Sequence, residues 1–183
     1  MFVLRTPRLL LVTMPPEVVT LRLQSDRFVT PVPMAVGRDG GATPPLGLVS
    51  FPPEWPGEAI GFFPELQRRH AVDPRYEEWG GIMIDRGRMM AIGQMGAKAP
   101  PDATGSVEIG YGVNQSLRGH GYATEMAREF GSWLLQQPAV RRVTAECLVD
   151  NQASARVLEK AGFCRIGERL DDEGQLLLWE RTT

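Results

Sequence analysis

Residues 107–135, VEIGYGVNQSLRGHGYATEMAREFGSWLL, decide the fold because their hydrophobic period changes within one short stretch. From 107 to 113, apolar residues alternate with others, which is the period of a β-strand. From Ala123 onward, the apolar residues take helical spacing and share one face: Ala123, Met126, Ala127, Phe130 and Leu134. Between these two patterns lies Arg-Gly-His-Gly-Tyr-Ala at 118–123. The stretch therefore predicts a strand, a glycine turn and a helix, in that order.

The glycine turn has the features of an anion site, most naturally one for phosphate. Gly119 and Gly121 let the backbone approach a ligand closely, and the first N–H groups of a helix have no acceptor within it. Charge-assisted bonds from such groups contribute roughly 1.5–3 kcal/mol each, so the backbone should matter more than Arg118. Alternatively, Gly119 and Gly121 only allow the chain to turn and bind no ligand. The dinucleotide fingerprint lacks its third glycine, and no Gly-Lys-Ser/Thr follows for a nucleotide triphosphate.

Two motifs resemble those of the GNAT (general N-acetyltransferase) superfamily. Arg118, Gly121 and Ala123 occupy the defined positions of its acetyl-CoA signature, Gln/Arg-x-x-Gly-x-Gly/Ala. Residues 150–163, DNQASARVLEKAGF, are similar to its second motif, in which an Asn ends a strand and a short helix leads to Gly-Phe. The opening LRTPRLLL at 4–11 resembles the opening strand of the branch named for ribosomal-protein N-terminal acetyltransferases, and Trp79 before a predicted hairpin is similar to that branch as well. The resemblance covers most of the chain outside roughly residues 30–75.

The resemblance implies a fold and a binding mode. The fold is α/β, with a mixed, mostly antiparallel central sheet and helices on both faces. The cosubstrate is acetyl-CoA, without a metal. In the implied binding mode, the central strand splays from its neighbour and the pantetheine arm pairs with the backbone near Tyr111, Gly112 and Val113, while a backbone N–H near Val113 polarises the thioester carbonyl. The residues expected to contact the rest of CoA are Arg118, Gly119, His120, Gly121, Tyr122, Ala123, Thr124 and Asn151.

Acetyl transfer to an amine needs a group that removes a proton, because only the neutral amine is nucleophilic. Glu108 on the central strand is the first candidate base, with an outward carboxylate that balances an arginine as its equal alternative; Glu146 is the second candidate. Many members of the family carry a tyrosine in the second-motif helix as the acid. Leu158 stands at that position here, which leaves Ser154 or water as the acid. By default, Ser154 is a surface serine.

Length, charge and composition narrow the class of protein. With 183 residues, the chain is expected to form a single domain over 1–183, and its net charge of −2 gives no reason to expect a nucleic-acid partner. No apolar run reaches the length of a membrane span, and no signal-peptide pattern opens the chain, so we expect a cytoplasmic protein. Two cysteines do not make a disulfide framework, and the presence of only two histidines argues against a histidine metal site.

The other elements follow from period and from breaking residues. Strands are predicted at 8–13, 80–85, 89–96 and 142–149, a helix from Pro16 to about Ser25, and a closing hairpin from 164–169 and 175–180. Residues 31–58 are rich in proline and are predicted to be irregular, either a flap or a disordered segment. A helix at 58–70 would carry Pro64 in its middle. The helix after 150 has Asn151 as its N-cap and Gly162 beyond its end.

The sequence thus predicts an N-acetyltransferase that moves an acetyl group from acetyl-CoA to a primary amine by direct attack in a ternary complex. A non-catalytic acyl-CoA-binding regulatory module on the same fold is the alternative. Residues 30–75 are the expected acceptor-binding or flap region. Protein N-terminus, amino acid, polyamine and aminoglycoside all stay open as acceptors, and so does the choice between monomer and homodimer.

Overall fold

A computed structural model of the chain describes residues 2–35, 45–72, 79–172 and 174–183. This part forms ten β-strands and four α-helices, and its large sheet is mostly antiparallel. The predicted α/β class and the mostly antiparallel sheet are confirmed. The chain gathers into two compact units, Met1–Met95 with Gly112–Arg118 and Gly96–Tyr111 with Gly119–Thr183. A single domain over residues 1–183 stays a prediction. None of the described helices has the length and apolar character needed to cross a membrane.

The first unit is built around strands and two helices near the start of the chain. Its strands are β1 (Val3–Arg5), β2 (Leu9–Thr13), β3 (Phe28–Pro33), β4 (Leu46–Phe51), β5 (Gly80–Asp85) and β6 (Met90–Ala97, whose last two residues belong to the second unit). Its helices are α1 (Pro16–Gln24) and α2 (Phe63–Val72). The strand order is β1-β2-β5-β6, and the β3–β4 hairpin joins β6 through a parallel contact of β4. Three aromatic rings stack edge to face in its core: Phe51, Trp55 and Phe63.

The second unit contains the stretch that decides the fold. Its strands are β7 (Ser106–Val113, ending in the first unit), β8 (Arg142–Leu148), β9 (Cys164–Asp171) and β10 (Gly174–Thr182), in the order β7-β8-β10-β9. Its helices are α3 (Tyr122–Leu135) and α4 (Gln152–Lys160). β7 and β8 are parallel, and the other two pairs are antiparallel. On α3, the predicted face is buried at Met126, Ala127, Phe130 and Leu134.

The prediction that residues 31–58 are irregular is wrong for two segments, because β3 and β4 pair there as an antiparallel hairpin. Prolines normally interrupt a ladder since they lack an N–H. Here the Met34 N–H donates to the Pro45 carbonyl oxygen. Backbone N–H groups alternate in direction along a strand, so those of the even-numbered residues of β3 point at β4. The nitrogen atoms of Pro31 and Pro33, which carry no hydrogen, point away from β4. Proline is tolerated at such an edge. Residues 36–44 lie outside the described part.

Two further expectations need correction. Pro64 does not lie in the middle of a helix: a 3₁₀ turn covers Gly57–Phe62, and α2 starts at Phe63, so Pro64 is in the first turn, where no backbone donor is lost. The opening segment 4–11 is not one strand. It folds back between β1 and β2, where the Thr6 hydroxyl accepts from the Leu9 N–H at 2.9 Å.

Candidate functional site

The two parallel strands β7 and β8 stay in register over a short distance only. Their registered pairs run from Ser106 with Arg142 to Ile109 with Ala145. In the second unit β7 continues through Gly110 and Tyr111, and β8 continues to Leu148 while it remains paired with β10. The backbone of β7 after Ile109 therefore lies beyond its last registered pair with β8. The resemblance to the family implies that the central strand parts from its neighbour near Tyr111–Val113, which is the segment that follows this last pair.

The end of β7 is held in the first unit by a buried asparagine. The Asn114 N–H donates to the Ile92 carbonyl oxygen at 2.8 Å, and its side-chain amide donates to the Ala91 carbonyl oxygen at 3.1 Å. The strand also approaches Gly93 so closely that a Cβ there would lie 2.1 Å from the Gly112 carbonyl oxygen. Only glycine fits at 93 without moving the backbone. The position of Gly112 and Val113 is therefore fixed by β6.

Arg118, the first residue of the signature, contacts this strand end. Its Nε donates to the Val113 carbonyl oxygen at 3.1 Å. In an extended strand the N–H and C=O of one residue point to the same side. The guanidinium of Arg118 therefore lies on the side of the strand to which the Val113 N–H points.

Residues 54–56, from the region expected to bind the acceptor, are anchored next to the same strand end. The Glu54 carboxylate accepts from the Ser116 backbone N–H at 3.1 Å and from its hydroxyl at 2.5 Å. The Trp55 indole is fully buried and donates to the Gly93 carbonyl oxygen at 3.0 Å. The Gln94 side chain donates to the Pro56 carbonyl oxygen at 3.1 Å. The sequence offers no signal for these anchors, since they join positions distant in the chain.

The glycine turn takes the conformation that an anion cradle needs. Gly119 and Gly121 have φ angles of +81° and +79°, and a Cβ at Gly119 would meet no atom within 4 Å. The first intrahelical bond of α3 runs from the Glu125 N–H to the Gly121 carbonyl oxygen, so the N–H groups of Tyr122, Ala123 and Thr124 precede the hydrogen-bonded turns. Open space at a left-handed glycine beside a helix start fits a phosphate group. His120 is exposed, and its ring stacks on Tyr122.

The second motif has the predicted helix ends. The Asn151 side chain accepts from the Ser154 N–H at 3.1 Å, which caps α4, and Gly162 has a φ of +91° just beyond it. Leu158 is fully buried. Its side chain therefore belongs to the core.

Ser154 has a partner that sequence reasoning missed. The Tyr111 hydroxyl lies 2.8 Å from the Ser154 hydroxyl oxygen and donates to the Ser154 carbonyl oxygen at 3.3 Å. Burial raises the pKa of Tyr111 to about 12, although the hydrogen bond with Ser154 acts in the opposite direction. The sequence singles out Tyr111 for its backbone only, because nothing local relates a strand tyrosine to a helix serine 43 residues later.

The two candidate bases differ in how firmly they are held. Glu146 accepts from Arg169 at both oxygens, at 3.0 and 2.6 Å, and this hydrogen bonding lowers the pKa of Glu146. Glu108 forms an ion pair with Lys98, whose side chain is 58% exposed. The carboxylate that balances an arginine is therefore Glu146, and Glu108 is paired with a lysine instead. A forked Arg–carboxylate pair is rigid, whereas water readily replaces an exposed lysine ammonium as the partner of a carboxylate.

No three His, Cys, Asp or Glu side chains in the described ranges come together as a metal site. The roles of the predicted site residues in binding and catalysis stay predictions.

Three comparisons place the chain among known proteins. Residues 51–164 match the family model of the acetyltransferase (GNAT) domain. The uncharacterized N-acetyltransferase YjdG of Bacillus subtilis (strain 168) is 35% identical over 114 residues, which are 60% of this chain and 67% of that protein. Among solved structures, a GNAT-family acetyltransferase from Bacillus anthracis is similar with a TM-score of 0.67 and 14% identity, covering 99% and 98% of the two chains. RimL, a ribosomal L7/L12 alpha-N-protein acetyltransferase in complex with coenzyme A, has a TM-score of 0.66 and 15% identity, with 98% and 97% covered.

Proposed function

Because the chain belongs to the GNAT family of acetyltransferases, we propose that it transfers an acetyl group from acetyl-CoA to a primary amine by direct attack in a ternary complex. The observation that carries this proposal is the loss of register between β7 and β8 after Ile109, which leaves strand backbone beyond the last pair. Exposed strand backbone binds an extended, amide-containing chain by adding hydrogen bonds, as a peptide adds to a sheet. The pantetheine arm of CoA is such a chain.

We assign the binding of CoA to three parts of the chain. The backbone of Tyr111, Gly112 and Val113 pairs with the pantetheine arm. The N–H groups of residues 118–124 hold the pyrophosphate, because the left-handed glycines and the start of α3 fit an anion there. Asn151 contributes a contact from the start of α4 in addition to its cap. When bound, acetyl-CoA supplies an acetyl thioester that is open to attack by an amine.

The chemical steps need one base, one acid and one donor to oxygen. Glu108 takes a proton from the acceptor amine, since its lysine partner is exposed and its carboxylate is not clamped by an arginine. The Val113 N–H donates to the carbonyl oxygen of the acetyl group, an oxyanion role. Ser154 gives a proton to the sulfur that leaves, since Leu158 occupies the other position for an acid.

For the acceptor, we propose a primary amine on a protein N-terminus or on a small molecule, bound with the help of residues 30–75. The anchoring of residues 54–56 beside the end of β7 supports this, because it holds part of that region next to Gly112. RimL acts on a protein N-terminus, but the likeness of this chain to it concerns the fold. We also expect a cytoplasmic protein that is a monomer or a homodimer and binds no nucleic acid.

The test has two stages. Calorimetric titration with acetyl-CoA measures binding, and a thiol-release assay with a panel of amines then measures transfer. The panel contains a peptide with a free N-terminus, an amino acid, a polyamine and an aminoglycoside. Binding together with thiol release supports a transferase and identifies the acceptor class. Binding without release from any member of the panel favours a non-catalytic acyl-CoA module, and absence of binding contradicts the proposal.

A further inference from the structure

A partly buried tyrosine on β7 and a serine on α4 form one hydrogen-bonded pair in the second unit. Tyr111 lies two residues beyond Ile109, the last residue of β7 that is registered with β8. Its hydroxyl is 2.8 Å from the Ser154 hydroxyl. Ser154 is held on its other side as well, since its backbone N–H donates to Asn151 at 3.1 Å. The serine hydroxyl therefore has a defined place at the point where β7 is expected to meet the thioester end of CoA.

The direction of this hydrogen bond matters for proton transfer. Either hydroxyl can donate across the 2.8 Å contact, and the single proton of the phenol has the Ser154 carbonyl oxygen as its other acceptor, at the longer distance of 3.3 Å. When Tyr111 donates, the serine oxygen is occupied as an acceptor and the serine proton is free to point elsewhere. A hydroxyl held in this way is ready to donate to a sulfur that develops negative charge. A serine without the tyrosine would rotate among several partners, including water.

We propose that Tyr111 is a positioning residue that holds the Ser154 hydroxyl for proton donation to the leaving sulfur. This inference rests on the proposed function. Ser154 gives its hydroxyl proton to sulfur as the carbon–sulfur bond breaks and the bonding pair moves to sulfur. A proton from water restores the serine, and the proton that Glu108 takes from the amine returns to solvent. Tyr111 keeps its own proton throughout, so charge and protons balance.

Burial keeps the phenol of Tyr111 in its neutral form, because it raises the pKa of Tyr111 to about 12. A neutral phenol remains a good hydrogen-bond donor.

The experiment uses the full chain and the acceptor that gives thiol release with the wild-type protein. Tyr111→Phe, Ser154→Ala and the double variant are compared for kcat, for KM and for CoA affinity by calorimetry. Loss of one hydrogen bond should lower kcat roughly 3- to 10-fold in Tyr111→Phe. Loss of the acid should lower it roughly 100-fold in Ser154→Ala. CoA affinity should change less than about 2-fold in both, because no CoA contact is assigned to either side-chain hydroxyl.

The double variant separates positioning from packing. If Tyr111 acts through Ser154, the double variant should have the same kcat as Ser154→Ala, because the tyrosine then has nothing to position. The inference would be overturned if the loss of kcat in the double variant equalled the product of the two single losses. It would also be overturned if Tyr111→Phe kept the wild-type kcat. Tyr111→Leu, which lacks the ring too, should lose as much kcat as Tyr111→Phe; a much larger loss would assign the effect to the ring. Ser132→Ala, on α3, is the serine control and should keep wild-type kcat.

Failure of the proposed function gives a different result. In that case the wild-type protein releases no thiol with any amine of the panel, and the assignment of Ser154 and Tyr111 falls with it. A wild-type protein that turns over, with a Tyr111→Phe variant that turns over equally fast, rejects the tyrosine alone.

Discussion

Replacing Glu108 with Gln exchanges a carboxylate for an amide of nearly the same shape, so it tests proton transfer with little change in packing. The ion pair with Lys98 is partly exposed, and such pairs contribute about 0.2–1 kcal/mol, so the free energy of unfolding should fall by less than about 1 kcal/mol. A general base contributes roughly 10²–10⁴ in rate. We expect kcat to fall roughly 100-fold, equivalent to about 2.7 kcal/mol of activation free energy.

Glu146→Gln is the matched control, on the neighbouring strand. It removes the forked pair with Arg169, so it should cost at least as much stability as Glu108→Gln while kcat stays near the wild-type value. Urea unfolding measures the first effect and thiol release at saturating acetyl-CoA and amine measures the second. The reasoning is refuted if Glu108→Gln keeps its kcat within about 2-fold, far below the contribution of a general base. It is also refuted if Glu146→Gln loses kcat to the same extent.

Three further changes test other parts of the chain. Gly121→Val should abolish acetyl-CoA binding in calorimetry, because it places a branched side chain at a φ of +79° in the expected phosphate cradle; unchanged affinity in a folded variant would contradict the cradle. Gly93→Ala should lower the free energy of unfolding by about 1–3 kcal/mol, since its Cβ would lie 2.1 Å from the Gly112 carbonyl oxygen. Gly110→Ala is its control, because the nearest atom there is 3.9 Å away on a flexible lysine, and equal losses would count against the close approach. Burial of His70 lowers its pKa below the ordinary 6.5, with Glu17 opposing the effect, so the unfolded chain takes up a proton first. Stability should therefore be fully present above pH 6.5 and fall as the pH drops below it; His70→Leu should remove this part of the pH dependence of urea unfolding.

Elements with strong local signals were predictable from the sequence. The alternation at 107–113 and the helical face from Ala123 define β7 and α3, and both form as expected. The ends of α4 were equally predictable, because an Asn cap and a left-handed glycine act through neighbouring residues. The glycine turn belongs to the same class: its conformation depends on the residues within it.

What could not be predicted depends on contacts between distant residues. Pro31 and Pro33 argued against a strand, and only the pairing direction of β3 shows that their missing N–H groups cost nothing. Glu108 and Glu146 look alike in sequence, both on strands, but one has a lysine partner and the other an arginine fork. The Tyr111–Ser154 bond joins two motifs that the sequence presents separately.

The prolines of β3 have a consequence for how the protein behaves at high concentration. The hairpin exposes apolar side chains at Val29, Leu46 and Leu48, which are 58–64% exposed. A strand edge with free donors beside such a surface is a template for pairing with another copy of the chain, and edge prolines are one of the means by which proteins prevent this. Pro31 and Pro33 remove two donors from the outer edge of β3. Pro31 and Pro33, which made β3 hard to predict from the sequence, thus protect the folded protein against edge-to-edge aggregation.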